Sequence, residues 1–296
     1  MPPVPALAIR LSPQGRRAVM VVLWASAVVG VLLGIETTVF HLSLDPLADV
    51  RIYYDAGARL NAGEPLYGVG SDTGVGWYVY PPLLAIAFRP LALLPFPAAA
   101  AIWEAVLVVA VALAIRRAGV NWRTAVAVAW LALPIAWALV VGQAEPLVTA
   151  LLAVGTPASV ALAGHMKIVP WLVAIYWAGR GEVRNLVRFA GWVLGLALLQ
   201  MVLAPDASRA MLQGEWLAPA FDTRNISPFA LSQPLWLALA LAGAVGTLWL
   251  VRRHRAWWAA VALAVLANPR LLVYQLMSLV AALGGPRDPE QSEAAP

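Results

Sequence analysis

The chain has 296 residues, of which 62% are hydrophobic and only 12% are charged, and its formal net charge is +5. An ordinary soluble domain has about twice this share of charged residues. Four segments without a charged residue or histidine are each long enough to cross a membrane as a helix: 18–35, 124–144, 146–164 and 225–251. This composition excludes soluble and disordered proteins. It predicts an all-α polytopic bundle of about 8–10 transmembrane helices, some of them short or re-entrant.

The basic residues are almost all arginines, and Lys167 is the only lysine. Under the positive-inside rule, short arginine clusters between apolar segments mark the cytoplasmic side of a membrane protein. The clusters are Arg10, Arg16 and Arg17; Arg116, Arg117 and Arg123; Arg180, Arg184 and Arg188; and Arg252, Arg253 and Arg255. We therefore attribute the positive charge to membrane topology and expect no nucleic-acid partner. The absence of cysteine excludes disulfides and thiolate ligands.

The first elements in chain order are a tail, a helix and a polar loop. Residues 1–17 are predicted to be a cytoplasmic tail, and the apolar segment that follows is interpreted as an uncleaved signal anchor. The loop 41–80 has five acidic and two basic residues. An acidic loop after an outward-running helix belongs outside the membrane, and we expect it to carry juxtamembrane helices. Residues 83–97 contain three prolines, which predicts a short or re-entrant helix.

The remaining elements alternate between the two sides. We predict a second extracytoplasmic loop at 205–233, because it is polar and contains acidic residues. Residues 18–284 are expected to form a single membrane-embedded domain, followed by a disordered tail at 285–296. This topology brings polar residues together at the outer ends of the helices, where a charge needs a partner or a wet cavity. The expected cavity suits either an active site or a transport pathway, and composition does not separate the two.

Several motifs resemble one known family. The segment from Asp49 to Tyr67 reads DVRIYYDAG…LNAGEPLY and is followed by Tyr80-Pro81-Pro82. It resembles the first-loop signature of glycosyltransferase family 87, the polyprenyl-phosphate-mannose-dependent mannosyltransferases and their relatives with the membrane-embedded C-type fold. Later motifs are similar to the family in the same order: Gly142-Gln143, Lys167-Ile-Val-Pro170, Asn225-Ile-Ser227 and Asn268-Pro269-Arg270 with Tyr274-Gln275. The resemblance covers about residues 18–284.

The resemblance implies an inverting transfer of a hexose, with mannose expected, from a polyprenyl-phosphate donor to a hydroxyl of a lipid-linked or cell-envelope glycan. The site would face outward from the cytoplasmic (inner) membrane, in contact with membrane lipid. A carboxylate that deprotonates the acceptor hydroxyl is required, and the motif assigns this role to Asp49, with Asp55 as the second choice. The residues expected to bind the donor phosphate are Lys167, Arg270 and His165. Those expected to line the pocket for sugar and acceptor are Tyr53, Tyr54, Tyr80, Gln143 and Asn225.

Other interpretations of the same residues remain open at this stage. Asp49 could be a helix N-cap, and Lys167 could extend to the membrane interface. No spacing requires a metal, although Asp49, Asp55 and Glu145 leave a divalent cation open as a cofactor. The whole chain could instead be a transporter, a lipid-sugar flippase or a catalytically inactive relative.

Overall fold

The computed structural model describes residues 12–68, 77–214 and 224–286. Within these residues every regular element is a helix, which confirms the predicted all-α fold. The α-helices are α1 (Pro13–Leu44), α2 (Ala48–Ala62), α3 (Pro82–Phe88), α4 (Phe96–Ala118), α5 (Trp122–Trp130), α6 (Ala132–Val140), α7 (Glu145–Val154), α8 (Pro157–Met166), α9 (Ile175–Arg180), α10 (Val183–Leu203), α11 (Pro205–Leu212), α12 (Gln233–His254) and α13 (Trp257–Leu266). Four 3-10 helices join them: Leu91–Leu93, Val169–Ala174, Pro228–Ala230 and Val273–Leu283.

The terminal tails and the tips of the two polar loops fall largely outside the described residues. This applies to residues 1–11 and 287–296, so the predicted cytoplasmic and disordered tails stay predictions. It applies equally to 69–76 in the first loop and 215–223 in the second.

Four helices are long and apolar enough to cross a membrane: α1, α4, α10 and α12. Helices α5 and α6 meet at a bend of 61° and together form a fifth candidate span, broken or re-entrant. Three further apolar helices, α7, α13 and the 3-10 helix Val273–Leu283, have only 10 or 11 residues. The described part of the chain is therefore a polytopic helical bundle that combines long spans with short apolar helices.

One predicted span is divided in two. Residues 146–164 are uncharged throughout, yet they form α7 and α8 instead of one helix. The division lies at Gly155, which adopts a left-handed conformation with φ of 67°, and Thr156 then caps the start of α8. A glycine in this conformation ends a helix, and Pro157 begins the next one. Hydrophobicity alone did not reveal this break.

Helix α2 is the juxtamembrane helix that the sequence predicted in the first polar loop. One face is buried and contains Val50, Ile52 and Tyr53. Its N-terminus is held against the end of α6, because the Asp49 amide donates to the carbonyl of Val141 at 2.9 Å.

The C-terminal end of α2 is attached to the turn after α3. The Arg89 side chain donates to the Asn61 side chain at 3.0 Å, and Asn61 donates back to the Arg89 carbonyl at 2.9 Å. Since α2 is bonded at both ends, its position relative to α3 and α6 is fixed.

Close helix packing in the first span depends on small residues. A β-carbon on Gly30 would lie 2.3 Å from the carbonyl oxygen of Ala129, and one on Gly34 would lie 2.9 Å from Ala132. These glycines let α1 approach the bend between α5 and α6 closely. By contrast, a β-carbon on Gly191 or Gly195 of α10 would meet nothing within 4 Å among the described residues.

The bundle has a basic end and an opposite end where α2 lies. Gly284 lies beside the carbonyls of Arg117 and Ala153, and Gly179 packs on Val251. The arginines in the last turns of α4, α9 and α12 are therefore grouped at one end. Helix α4 begins at the other end, where the ring of Phe96 contacts that of Tyr54 in α2.

Candidate active site

A cavity of about 550 Å³ lies at the end of the bundle opposite the arginine clusters. It is bounded by the Tyr80-Pro81 turn, the 3-10 helix after α8, the start of α12 and the turn after α13. Its lining residues are Val79, Tyr80, Pro81, Lys167, Ile168, Val169, Trp171, Leu172, Trp236, Ala267, Asn268, Pro269, Arg270, Leu272, Tyr274 and Gln275. Apolar residues and two cations therefore share one cavity, and three of the predicted site residues line it.

Asp49 reaches this cavity through a hydrogen-bond network centred on Gln143. The Gln143 amide nitrogen donates to Oδ2 of Asp49 and to the hydroxyl of Tyr80, both at 3.0 Å. The amide oxygen of Gln143 accepts from the hydroxyl of Tyr53 at 2.5 Å. Gln143 is fully buried, whereas Asp49 is partly exposed. The network therefore orients the Asp49 carboxylate next to Tyr80, which lines the cavity.

The electrostatic surroundings make Asp49 a stronger base than an ordinary aspartate. Burial raises the pKa of Asp49 from 3.8 to about 6, against the opposing effects of Lys167, Arg270, the Gln143 hydrogen bond and Arg224. A carboxylate with this pKa is still ionised at neutral pH but accepts a proton more readily. Asp49 does not cap α2, because the residue before the helix is Leu47 and Asp49 lies in the first turn.

A glycine at the end of α6 places Gln143 in this network. Gly142 has a φ of 69°, and a β-carbon there would lie 1.9 Å from the Val50 side chain. Its carbonyl accepts a hydrogen bond from the indole of Trp103 at 2.8 Å. The left-handed turn at Gly142 therefore directs the next side chain inward, toward Asp49.

Lys167 lines the cavity and is paired with a buried carboxylate. Its Nζ lies 2.6 Å from Oε2 of Glu145, and the exposed fractions of the two side chains are 8% and 4%. Nζ also lies 5.0 Å from the ring centre of Tyr274 and 5.7 Å from that of Tyr80. Lys167 is thus held in the interior and does not extend to a membrane interface.

The comparison with known families decides what kind of protein this is. The model of glycosyltransferase family 87 matches residues 78–283, which is more than half of the chain. The chain belongs to glycosyltransferase family 87. It is an integral membrane protein of that family and therefore a glycosyltransferase. No curated protein and no solved structure matches it.

The family match begins after the segment that carries Asp49. It includes Tyr80, Gln143, Lys167 and Arg270, but not residues 49–67. The position of Asp49 in this glycosyltransferase therefore depends on the geometry described above.

Two predicted site residues of the glycosyltransferase make structural contacts away from the cavity. The Nε2 of His165 donates to the Val193 carbonyl at 3.0 Å, and its Nδ1 accepts from the Gln200 amide at 2.6 Å. Both ring nitrogens of His165 thus join α8 to α10. The Tyr54 hydroxyl donates to the Leu94 carbonyl at 2.8 Å, on another face of α2 from Tyr53.

Asn225 lies beside the cavity and forms hydrogen bonds to the backbone of the turn that carries Arg270. Its amide donates to the Pro269 carbonyl at 3.0 Å, and its oxygen accepts from the Leu271 amide at 3.0 Å. It therefore fixes the turn that presents Arg270 to the cavity. Asp55 is partly buried in the middle of α2 and does not line the cavity.

Sequence reasoning assigned no site role to Glu145 beyond a possible metal ligand. It quoted Tyr274 in a family motif without giving it a role, and it missed Ser278 and Trp236. The one available signal was the single lysine of an apolar chain, because a buried lysine requires a nearby acid. Among the residues that the structure describes, no group of three His, Asp or Glu side chains could hold a metal ion.

Proposed function

We propose that the chain is an inverting hexosyltransferase that moves mannose from a polyprenyl-phosphate donor to a hydroxyl of a lipid-linked or cell-envelope glycan. The observation that carries this proposal is the composition of the 550 Å³ cavity, in which two cations and apolar side chains lie beside a basic carboxylate. A lipid-phosphate sugar has the matching parts, namely an anionic phosphate between an apolar chain and a polar sugar.

The donor would bind with its phosphate at Lys167 and Arg270. Trp171, Leu172 and Trp236 line the same cavity and offer apolar surface to the first isoprene units. During transfer the bond between the sugar and the phosphate oxygen breaks, and the leaving polyprenyl phosphate gains negative charge. Cations placed where charge develops lower the barrier to this step.

Asp49 would act as the base. Its carboxylate takes the proton of the acceptor hydroxyl while that oxygen attacks the anomeric carbon from the side opposite the phosphate. A single displacement of this kind inverts the anomeric configuration. Gln143 supports the reaction by orienting the carboxylate and Tyr80 together, and Tyr53 fixes the Gln143 amide.

Charge distribution supports an outward-facing site in the cytoplasmic membrane. The arginines in the last turns of α4, α9 and α12 lie at one end of the bundle and the cavity lies at the other, and clustered arginines are typical of the cytoplasmic side. We propose that residues 18–284 work as one membrane-embedded domain with this orientation.

The test uses purified protein in liposomes with radiolabelled polyprenyl-phosphate mannose. Glycolipids extracted from cells that lack the protein serve as acceptors, and GDP-mannose and polyprenyl-phosphate glucose serve as alternative donors. We expect label transfer from the lipid-linked mannose alone, with an inverted linkage by NMR. Transfer from GDP-mannose alone would contradict the proposed donor. Unchanged glycoconjugates in cells lacking the protein, together with altered solute uptake, would favour a transporter.

A further inference from the structure

Four buried polar residues form a hydrogen-bonded chain behind the cavity. Glu145 accepts from Lys167 at 2.6 Å and from the hydroxyl of Ser278 at 2.5 Å. Ser278 also lies 2.8 Å from the hydroxyl of Thr149, which donates to the Glu145 carbonyl at 2.8 Å. All four residues are more than 90% buried. Both carboxylate oxygens of Glu145 are thus used, and its position is fixed from two elements.

Lys167 lies at the boundary between two cavities, and Glu145 touches only one of them. The large cavity is lined by Lys167 but not by Glu145. A second, small cavity is lined by both residues and by Ser278, and it shares Lys167, Val169, Asn268 and Gln275 with the large cavity. Glu145 therefore contacts Lys167 without lining the large cavity itself. An anion in the large cavity would contact the same Lys167 side chain.

Stability alone is a weak reason for this ion pair. The cost of removing two charges from water often exceeds the attraction between them, and apolar residues in their place would serve a fold at least as well. Removing one partner is different, because it leaves a buried charge without compensation. A lysine that receives an anionic substrate in an apolar setting needs such compensation whenever the cavity is empty.

We propose that Glu145 is the resident counter-ion of Lys167 and that it is exchanged for the phosphate of the polyprenyl-phosphate substrate and product. This inference rests on the proposed function and adds a role for a residue outside the reacting cavity. When the cavity is empty, Lys167 bonds to Glu145. When a phosphate enters, an ammonium N–H bonds to it first and the contact with Glu145 is then given up, an order that the three N–H groups of the lysine allow.

The exchange also limits how tightly the product is held. The leaving polyprenyl phosphate carries more charge than the donor, so an isolated cation would retain it. Glu145 competes for the ammonium and repels the phosphate, which favours release after each transfer. Glu145 is therefore a positioning residue that acts through Lys167.

The deciding variant is Glu145→Gln, which keeps the shape of the side chain and removes its charge. We measure thermal stability and the binding of farnesyl phosphate, a short polyprenyl monophosphate, by calorimetry in detergent at pH 7. Farnesol is the uncharged ligand control. Glu182→Gln is the matched protein control, since Glu182 pairs with Arg180 at the basic end and does not line the cavity.

Counter-ion exchange predicts two opposite effects of Glu145→Gln. Without ligand the variant melts at a lower temperature than the unmodified protein, because the Lys167 charge is uncompensated. It binds farnesyl phosphate more tightly, by about tenfold, since one opposing unit charge at close range has been removed. Farnesol binding and the Glu182→Gln variant stay unchanged. A purely structural pair predicts lower stability without any phosphate-specific gain.

The possible results separate this inference from the proposed function. Equal or weaker farnesyl phosphate binding by Glu145→Gln overturns the exchange. If Lys167→Met at the same time binds farnesyl phosphate more weakly than the unmodified protein, the proposed phosphate-binding role of Lys167 still stands. Full farnesyl phosphate binding by Lys167→Met would overturn both. If Glu145→Gln does not fold, Glu145→Asp decides, because the shorter side chain keeps the charge but pairs less closely with Lys167. It should bind farnesyl phosphate more tightly than the unmodified protein with farnesol unaffected, and equal or weaker binding overturns the exchange.

Discussion

The side-chain amide of Gln143 donates a hydrogen bond to the carboxylate of Asp49 at 3.0 Å. The two residues lie on opposite sides of the point where the family match begins. Gln143 lies inside the segment matched by glycosyltransferase family 87, whereas Asp49 precedes it. This bond therefore connects the candidate base to the part of the chain whose family is established. The first three predictions test what the connection does.

Replacement of Asp49 by Asn should remove catalysis while preserving the site. Asparagine is nearly isosteric and still accepts the Gln143 hydrogen bond, but it cannot take up a proton from the acceptor. We expect kcat to fall by about 100-fold to 10,000-fold, the usual contribution of a general base. Radiolabelled mannose transfer measures the effect, and Asp206→Asn is the control because its side chain is 94% exposed. Full transfer by the Asp49 variant would eliminate this residue as the base.

The pH dependence of transfer should report the Asp49 carboxylate. Burial raises its pKa to about 6, and only the ionised form acts as a base. We expect kcat/KM to rise about tenfold per pH unit below pH 6 and to level off above it. Initial rates at low donor concentration between pH 4.5 and 8 give the profile. A profile that is flat across pH 6, with chemistry limiting the rate, would contradict the assignment.

Removal of the Gln143 amide should shift that profile upward. The Gln143 hydrogen bond lowers the pKa of Asp49, so Gln143→Leu should move the midpoint above pH 6 and reduce the rate at neutral pH. Gln200→Leu provides the control, because Gln200 is also a buried amide but bonds to His165 and to the backbone of Leu83. An identical shift in both variants would show that the change is not transmitted through Asp49.

The turn at Gly142 should tolerate no side chain. Gly142→Ala forces a β-carbon into Val50 at 1.9 Å and strains a left-handed residue. We expect a loss of about 2–5 kcal/mol, the sum of both penalties. Gly181→Ala has a similar φ of 69° but open space around it, and should lose only about 1–2 kcal/mol. Thermal unfolding in detergent compares the two.

A second substitution separates strain from crowding at this turn. Val50→Ala in the Gly142→Ala background removes the nearest obstacle but leaves the backbone strain and the Glu104 Oε1 at 2.8 Å from the new methyl group. Stability should therefore recover in part, to a level between those of the Gly142→Ala and Gly181→Ala variants. A double variant as unstable as Gly142→Ala alone would mean that Val50 is not the obstacle.

Residue types and their order predicted the fold class, and they singled out three residues that line one cavity, Tyr80, Lys167 and Arg270. Long uncharged segments require helices in a membrane, and the Gly142-Gln143, Lys167 and Arg270 motifs occur in one cavity region as expected. What the sequence could not show is which neighbour each side chain contacts. Tyr53 and Tyr54 are adjacent, yet successive helical residues point about 100° apart, so only Tyr53 reaches Gln143.

Long-range pairing explains the remaining differences. A histidine in an apolar segment is typical of a functional site, but the hydrogen-bond partners of His165 lie on α10. Nothing in the local sequence reveals that helix as a neighbour. Glu145 and Lys167 are separated by the break at Gly155, which brings α8 back along α7 and so allows the pair to meet. The break itself depends on backbone conformation, which hydrophobicity does not report.

The attachment of α2 at both ends has a consequence for how substrates meet. The Asp49 amide is bonded to the end of α6, and Asn61 is bonded to the turn after α3. The two bonds therefore hold the Asp49 carboxylate in place relative to the membrane-embedded helices. Under the proposed function, donor and acceptor must both diffuse through the membrane to a fixed carboxylate, and no swinging catalytic loop is needed to bring the base to them.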